Sequence, residues 1–145
     1  MTIKSPQQPV EWTAYFQLRW EILRAPWGQA IGSEKDELDN DQHSFHAMAL
    51  NTNNDIVGVA RLHLLPDSTA QLRFMAVNKI SQGSGVGSLI INYLEDIAKT
   101  KHSKRIILQA RENAVLFYEK HGYKIKEKSF LMYNQIQHYL MEKDL

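Results

Sequence analysis

The segment Gln82–Ser88 reads Gln-Gly-Ser-Gly-Val-Gly-Ser and leads directly into an apolar stripe. The stripe has alternating spacings of three and one, which is typical of one helix face, and consists of Val86, Leu89, Ile90, Tyr93, Leu94 and Ile97. Glycines at alternate positions let the backbone turn tightly and direct its N–H groups one way. Because the loop opens a helix, those groups and the positive helix end predict a phosphate or pyrophosphate site. The alternative interpretation is a tight strand-to-helix turn.

Three predicted strands precede this loop: His43–Leu50, Ile56–Leu65 and Thr69–Val77. The segments between them, Asn51–Asp55 and Pro66–Ser68, are rich in turn-forming residues. Links this short permit only antiparallel neighbours. The third strand alternates regularly, so we expect one of its faces to lie in the core, formed by Ala70, Leu72, Phe74 and Ala76.

Helical and strand patterns on both sides complete one domain over residues 1–145. Before the strands, apolar spacing predicts a helix over Glu11–Arg24, which Pro26 ends. After the loop helix, we expect a strand at Arg105–Leu108 and a helix at Asn113–Lys120 closed by Gly122. Two further predicted strands, Tyr123–Glu127 and Gln137–Lys143, follow. This order predicts an α+β fold around one central sheet.

The known nucleotide-binding loops do not match this pattern. A Walker A loop requires Lys and then Ser or Thr after its last glycine, but Ser88 and Leu89 follow Gly87. A Rossmann loop follows the first strand of a parallel βαβ unit, whereas this loop follows antiparallel hairpins. Neither a mononucleotide fold nor a dinucleotide fold is therefore favoured.

Composition excludes several other classes of function. The chain has 145 residues, no cysteine and a formal charge of +1, so thiol nucleophiles, iron–sulfur clusters and Cys-ligated zinc are excluded. Lys and Arg residues do not cluster in the sequence, so nothing indicates nucleic acid as a partner. His43 and His46 would point to opposite faces of a strand, so we expect no metal site. With neither a secretory signal nor an apolar run long enough for a membrane helix, we expect a cytoplasmic protein.

Two motifs in series resemble those of the GCN5-related N-acetyltransferase (GNAT) superfamily. Gln82–Ser88, after the strand residues Leu72–Val77, resembles its acetyl-CoA signature, Arg/Gln-x-x-Gly-x-Gly/Ala. About 25 residues further on, Asn113–Tyr123 resembles its second motif, in which an Asn is followed by Phe-Tyr and then Gly-Tyr or Gly-Phe. The similarity covers roughly residues 43–127, and it implies a mostly antiparallel, twisted sheet of six to seven strands, splayed to hold acetyl-CoA.

The resemblance also implies roles for individual residues. Backbone groups of Met75, Ala76 and Val77 would bind the pantetheine arm. The pyrophosphate would rest on the N–H groups of the loop, helped by the Gln82 side chain, and the loop residues are Gln82, Gly83, Ser84, Gly85, Val86, Gly87 and Ser88. Asn113 would hydrogen-bond the pantetheine region, and Tyr118 would protonate the departing CoA thiolate. Without the resemblance, Asn113 is interpreted as a helix N-cap and Tyr118 as a packed aromatic.

The general base and the acceptor stay open at this point. An amine with a pKa of about 10.4 must lose a proton to react, but Gln71 occupies the position that is Glu in histone-type members of the superfamily. His46, His63, Glu112 or a water chain are the candidates. The segment Gly28–Gln42 carries Glu34, Asp36, Glu37 and Asp39 and is interpreted as a solvated loop, or else as an acidic wall for a cationic amine.

Two classes of function follow from these observations. The first is an acetyl-CoA-dependent enzyme that acetylates a primary amine directly, since no cysteine could form a covalent acyl-enzyme. The second is a catalytically silent CoA-binding sensor or interaction module with the same fold. The resemblance adds a homodimer as a further expectation, because dimers are common in the superfamily.

Overall fold

Seven strands form one sheet in the computed structural model, which describes all 145 residues. The order across the sheet is β1-β2-β3-β4-β5-β7-β6, and only the β4–β5 pair is parallel. The strand bounds are β1 Thr2–Lys4, β2 Ser44–Leu50, β3 Ile56–Leu65, β4 Thr69–Val77, β5 Arg105–Arg111, β6 Lys124–Met132 and β7 Ile136–Asp144. The α+β fold around one mostly antiparallel sheet, as predicted above, is confirmed.

Helices cover the two faces of the sheet. Helix α1 (Pro9–Leu23) packs on one face, where it contacts Met48 and Val59. Helices α2 (Val86–Thr100) and α3 (Val115–Lys120) pack on the other, with Ala47 and Leu62 in the core between. Neighbours such as Ala47 and Met48 enter opposite cores because side chains alternate along a strand. No helix has the length and apolar character needed to cross a membrane.

The predicted elements are all present, and most differences lie at their ends. Strand β5 continues beyond Leu108 to Arg111, and β6 continues beyond Glu127 to Met132. Strand β1, three residues long, was not predicted, because so short a segment carries no recognisable alternation. The predicted helix over Asn113–Lys120 begins as a 3-10 turn at Glu112–Ala114. Gly122 follows it with a φ of +90°, as a helix-closing glycine should.

A bulge interrupts β4 and corrects its predicted alternation. Arg61 pairs with Arg73 and Val59 with Ala76, so two residues of β4, Phe74 and Met75, lie opposite Ala60 alone. Phe74 takes a left-handed φ of +58°. The prediction that one face of this strand lies in the core over its whole length is therefore wrong. Ala70 and Leu72 join the core under α2, but Ala76 joins the core under α1.

Strands β4 and β5 separate close to this bulge. They pair from Thr69 with Arg105 to Leu72 with Leu108, and no pair follows, although β4 runs on to Val77 and β5 to Arg111. A bulge bends its strand and disrupts the local ladder. The result is a gap in the middle of the sheet.

Buried ion pairs anchor α1 to the sheet. Arg19 of α1 and Arg61 of β3 are almost fully buried, and each donates from Nη1 to Asp39 Oδ1 at 2.9 Å. Asp36 accepts a further pair of hydrogen bonds from Arg61. The interpretation of Gly28–Gln42 as a solvated loop is therefore wrong for these carboxylates, which are internal counterions. Glu34 is buried as well, and its carboxylate accepts from the Gly32 N–H.

We predict that Asp39→Asn destabilises the fold by about 3–5 kcal/mol, because it leaves two buried guanidinium groups with too little negative charge. Chemical denaturation followed by circular dichroism measures the change. Glu37→Gln is the matched control, since Glu37 lies exposed in the same turn, and its effect should stay within about 0.5 kcal/mol. Equal stability of the two variants would contradict the role assigned to Asp39.

Candidate active site

A cavity of about 980 Å³ occupies the gap between β4 and β5. Its walls come from β4, β5, the glycine loop, α3, the end of α1 and the adjoining parts of β6 and β7. The predicted site residues that line it are Met75, Ala76, Val77, Gln82, Gly83, Gly85, Val86, Gly87, Ser88, Asn113 and Tyr118. Ser84 is the exception, because it is exposed outside the cavity and its hydroxyl donates to the Ser81 carbonyl.

The glycine loop presents unbonded N–H groups at the start of α2. Gly83 and Gly85 take φ values of +83° and +89°, which favour glycine. The N–H groups of Gly83 and of Gly85–Ser88 donate to nothing within the chain, as is usual at a helix start. A Cβ on Gly87 would come within 2.9 Å of the Phe117 ring. The loop can therefore bind an anion through its backbone.

The side chain of Gln82 closes this loop onto β4. Its Nε2 donates to the Val77 carbonyl at 3.0 Å. This hydrogen bond occupies one of the two amide hydrogens of Gln82, and it also occupies the Val77 carbonyl. The second amide hydrogen is the one with which Gln82 could assist a phosphate group.

Tyr118 lies at the boundary between the core and the cavity. The residue is 7% exposed, and its ring meets those of Phe117 and Tyr123 edge-on at 5.1 and 5.8 Å. Its hydroxyl makes no hydrogen bond within the chain. Burial raises the pKa of this phenol, so it holds its proton at neutral pH. The protonated, unbonded hydroxyl is therefore available as a hydrogen-bond donor at the cavity.

Asn113 lies at the mouth of the cavity with a free side chain. It is exposed, and no hydrogen bond from its side chain caps a helix. The N-cap of α3 is Ala114, and Arg111 precedes the 3-10 turn. The alternative interpretation of Asn113 as an N-cap is therefore wrong.

None of the three side chains considered as the general base lines the cavity. His46 is buried beneath α1, where its ring nitrogens contact the Tyr15 hydroxyl at 2.7 Å and the Asp39 carbonyl at 3.0 Å. Burial lowers its pKa to about 4. His63 contacts the Ser44 hydroxyl, and Glu112 is exposed. Gln71 does line the cavity, but an amide cannot accept the proton.

The structure brings in a histidine that the sequence does not single out. His138 of β7 lies opposite Arg111 of β5, and both line the cavity. Its Nδ1 is 3.0 Å from the Ile136 carbonyl, which can only accept, so Nδ1 carries the hydrogen and Nε2 has a free lone pair. Phe130 stacks on the imidazole at 4.3 Å. The His138 imidazole reaches the cavity because β7 pairs with β5. No local sequence pattern reveals that pairing.

Burial lowers the pKa of His138 below its ordinary value, and the positive charges of Arg111, Arg24 and Arg73 lower it further. The hydrogen bond to the Ile136 carbonyl opposes this shift only in part. The imidazole is therefore neutral at pH 7, as a proton acceptor must be.

The charged side chains that line the cavity are all basic. Arg24, Arg73 and Arg111 line it together with Lys120, and no Asp or Glu does. The carboxylates of Asp36 and Asp39 instead pair with arginines beneath α1. The interpretation of Gly28–Gln42 as an acidic wall for a cationic amine is therefore wrong. No three His, Asp or Glu side chains converge as a metal site would require.

Comparison with known proteins identifies the family. The Acetyltransferase (GNAT) family matches residues 12–123. The N-acetyltransferase YjcF of Bacillus subtilis, itself uncharacterised, is 34% identical over 130 residues, which are 89% of each chain.

Solved structures share the fold at lower identity. An aminoglycoside 6'-N-acetyltransferase complexed with coenzyme A superposes with a TM-score of 0.83 at 18% identity, covering 99% of this chain and 97% of that one. The ribosomal-protein-S18-alanine N-acetyltransferase of Escherichia coli gives 0.80 at 16% identity, covering 99% and 92%. The family match spans most of the chain, and a relative above 30% identity covers nearly all of it. The chain therefore belongs to the GNAT acetyltransferase family.

Proposed function

We propose that this protein transfers an acetyl group from acetyl-CoA directly to a primary amine. One observation carries the proposal: the cavity at the β4–β5 gap is continuous with the unbonded N–H groups of the glycine loop. Membership of an acetyltransferase family supports it, as does the coenzyme A in the similar aminoglycoside enzyme. The absence of cysteine favours direct transfer over a thiol-bound acyl-enzyme.

The residues present fit coenzyme A. The N–H groups of Gly83 and Gly85–Ser88 suit a pyrophosphate at the positive end of α2. The pantetheine arm would lie in the gap, along the backbone of Met75–Val77 and beside the free amide of Asn113. Lys120, which also lines the cavity, adds a positive charge for phosphate.

Two side chains, His138 and Tyr118, would serve as proton acceptor and hydrogen-bond donor. Acetyl-CoA supplies the acetyl group as a thioester, whose C–S bond breaks as the new N–C bond forms. His138 accepts a proton from the acceptor amine at Nε2, which its hydrogen bond to Ile136 leaves free. Tyr118 donates its O–H to the sulfur that leaves. Because the pKa of a phenol lies above that of a thiol, complete transfer of this proton is unfavourable, so Tyr118 acts mainly through the hydrogen bond that it donates as negative charge develops on the sulfur, and water returns any proton that it gives up. Positioning of the two substrates supplies most of the rate.

We predict that Tyr118→Phe lowers kcat by about 100-fold and leaves the KM for acetyl-CoA nearly unchanged, because the variant loses a hydrogen-bond donor and no wall of the site. Release of CoA thiol with a panel of amines measures the effect. Tyr93→Phe is the matched control, since Tyr93 of α2 lies outside the cavity. A silent CoA-binding module predicts instead that CoA binds and that no amine in the panel is turned over.

We predict that His138→Asn lowers kcat/KM by about 100-fold at pH values above the pKa of His138, which burial and the nearby arginines hold below its ordinary value. The amine's own ionisation also slows the reaction as the pH falls, so the ratio of wild-type to variant rates is the informative quantity. That ratio should be constant above the His138 pKa and fall below it, because the imidazolium form cannot accept a proton. His63→Asn is the control, and a ratio independent of pH would contradict the assignment.

We predict that Gly85→Ala weakens CoA binding about tenfold, because a Cβ strains the left-handed backbone that presents the loop N–H groups. Isothermal titration with CoA measures the affinity. Gly28→Ala is the matched control, since Gly28 also has a left-handed φ with open space around it but lies outside the cavity. Equal CoA affinity of the two variants would contradict the role of the loop.

A further inference from the structure

Two arginines in the cavity have no acidic partner. Arg24, at the end of α1, is 8% exposed and donates only to the carbonyls of Ser33 and Leu23, both at 3.2 Å. Arg111, at the end of β5, donates to the Leu23 carbonyl at 3.1 Å. Neither forms a salt bridge. Each guanidinium has five N–H donors, so both keep several unused.

Arg73 adds a third positive charge with a weak partner. Its Nη1 is 3.5 Å from an Asp36 oxygen, but Asp36 also accepts two hydrogen bonds from Arg61. Burial lowers the pKa of Arg111, and the charge of Arg24 lowers it further. Partial burial also lowers the pKa of Arg73, and the charges of Arg61 and Arg24 lower it further, against the opposing effect of Asp36. The three arginines repel one another, and no carboxylate lines the cavity between them.

The carbonyls at the C-terminal end of α1 stabilise these positive charges only in part, because a carbonyl carries no full negative charge. Where the fold buries arginines for structure, it supplies a carboxylate, as Asp39 does for Arg19 and Arg61. A buried guanidinium without a counterion destabilises a protein, and such a charge is normally paired. The free donors of Arg24 and Arg111 therefore suit an anion that arrives from outside the protein.

The arginines lie on the opposite side of the sheet from the glycine loop. Along β5, Ile106, Leu108 and Ala110 enter the core under α2, so Arg111 projects to the α1 face. Its hydrogen bond to Leu23 of α1 places it there. The N–H groups of the loop begin α2 on the other face. A CoA pyrophosphate held by the loop would therefore leave the arginines free for the second substrate.

We infer that the acceptor amine carries an anionic group, a carboxylate or a phosphate, which Arg24, Arg73 and Arg111 bind. This inference rests on the proposed function, and it names the class of substrate. Guanidinium groups form short, charge-assisted hydrogen bonds with both kinds of anion. His138, opposite Arg111 in the β5–β7 pairing, would then lie near the amine of the same molecule. Cationic acceptors such as polyamines are expected to be poor.

The test compares acceptors that differ only in charge. Amino acids are compared with their carboxamides, and O-phosphoethanolamine with ethanolamine, each rate being corrected for the fraction of neutral amine. We expect kcat/KM to favour the anionic member of a pair by about 10- to 100-fold. A preference for the anion among the amino acids indicates a carboxylate site, and a preference for O-phosphoethanolamine over ethanolamine indicates a phosphate site. Equal rates within both pairs, or a preference for neutral or cationic amines, would overturn the inference.

Arg111→Gln should remove most of this preference by raising the KM for the anionic acceptor, with the KM for acetyl-CoA unchanged. Arg111→Lys should restore part of it, because the charge returns without the fork of donors. Arg105→Gln is the matched control on the same strand, since Arg105 is half-exposed outside the cavity and pairs with Glu142. A preference that survives in Arg111→Gln would also overturn the inference.

A binding measurement separates this inference from the proposed function. The same amino acids and O-phosphoethanolamine are titrated into the complex of the protein with CoA, using wild type and Arg111→Gln. Binding that depends on Arg111 without turnover would support the anionic class and refute acetyl transfer. Turnover of neutral amines alone would support acetyl transfer and refute the anionic class. Absence of both turnover and binding for every anionic compound would refute the anionic class.

Discussion

The separation of β4 from β5 is the constraint on which the site depends. Pairing stops after Leu72 and Leu108, next to the bulge of β4 at Phe74, and a bulge bends its strand and disrupts the local ladder. A continuous sheet would satisfy more backbone hydrogen bonds, but it would leave no passage through its middle. Phe74 keeps a left-handed backbone, a conformation that persists only where the surroundings enforce it. The aromatic ring lies beneath the guanidinium groups of Arg19 and Arg61 at 4.1 and 4.8 Å, which holds it in place.

The same region divides the arginines into two groups with different partners. Arg19 and Arg61 share Asp39 and link α1 to the sheet, so α1 ends at a defined position beside the cavity. Arg24 and Arg111 both donate to the Leu23 carbonyl at that end, where the helix dipole favours positive charge. The structural ion pairs thus fix the end of α1 from which Arg24 lines the cavity.

Much of the fold and about half of the site could be predicted from the sequence, because those features are local. The spacing of glycines, the apolar stripe of α2 and the turn chemistry between strands each depend on neighbours in the chain. Resemblance to family motifs added Asn113 and Tyr118, which the structure brings to the same cavity as the loop. His138 was missed because its place in the cavity depends on the pairing of β7 with β5, and that pairing joins segments distant in sequence.

The sequence by itself determined most of the elements, their order, the spacing of the glycines in Gln82–Ser88 and the absence of a thiol. Only the tertiary structure decided which charged side chains are buried and which of them pair with one another. The acidic residues of Gly28–Gln42 look like a surface feature in the sequence, yet folding buries Asp39 against two arginines and leaves the cavity without a carboxylate. The physical reason is that burial and pairing of a charge depend on what packs against it, and those neighbours come from α1, β3, β5 and β7 together.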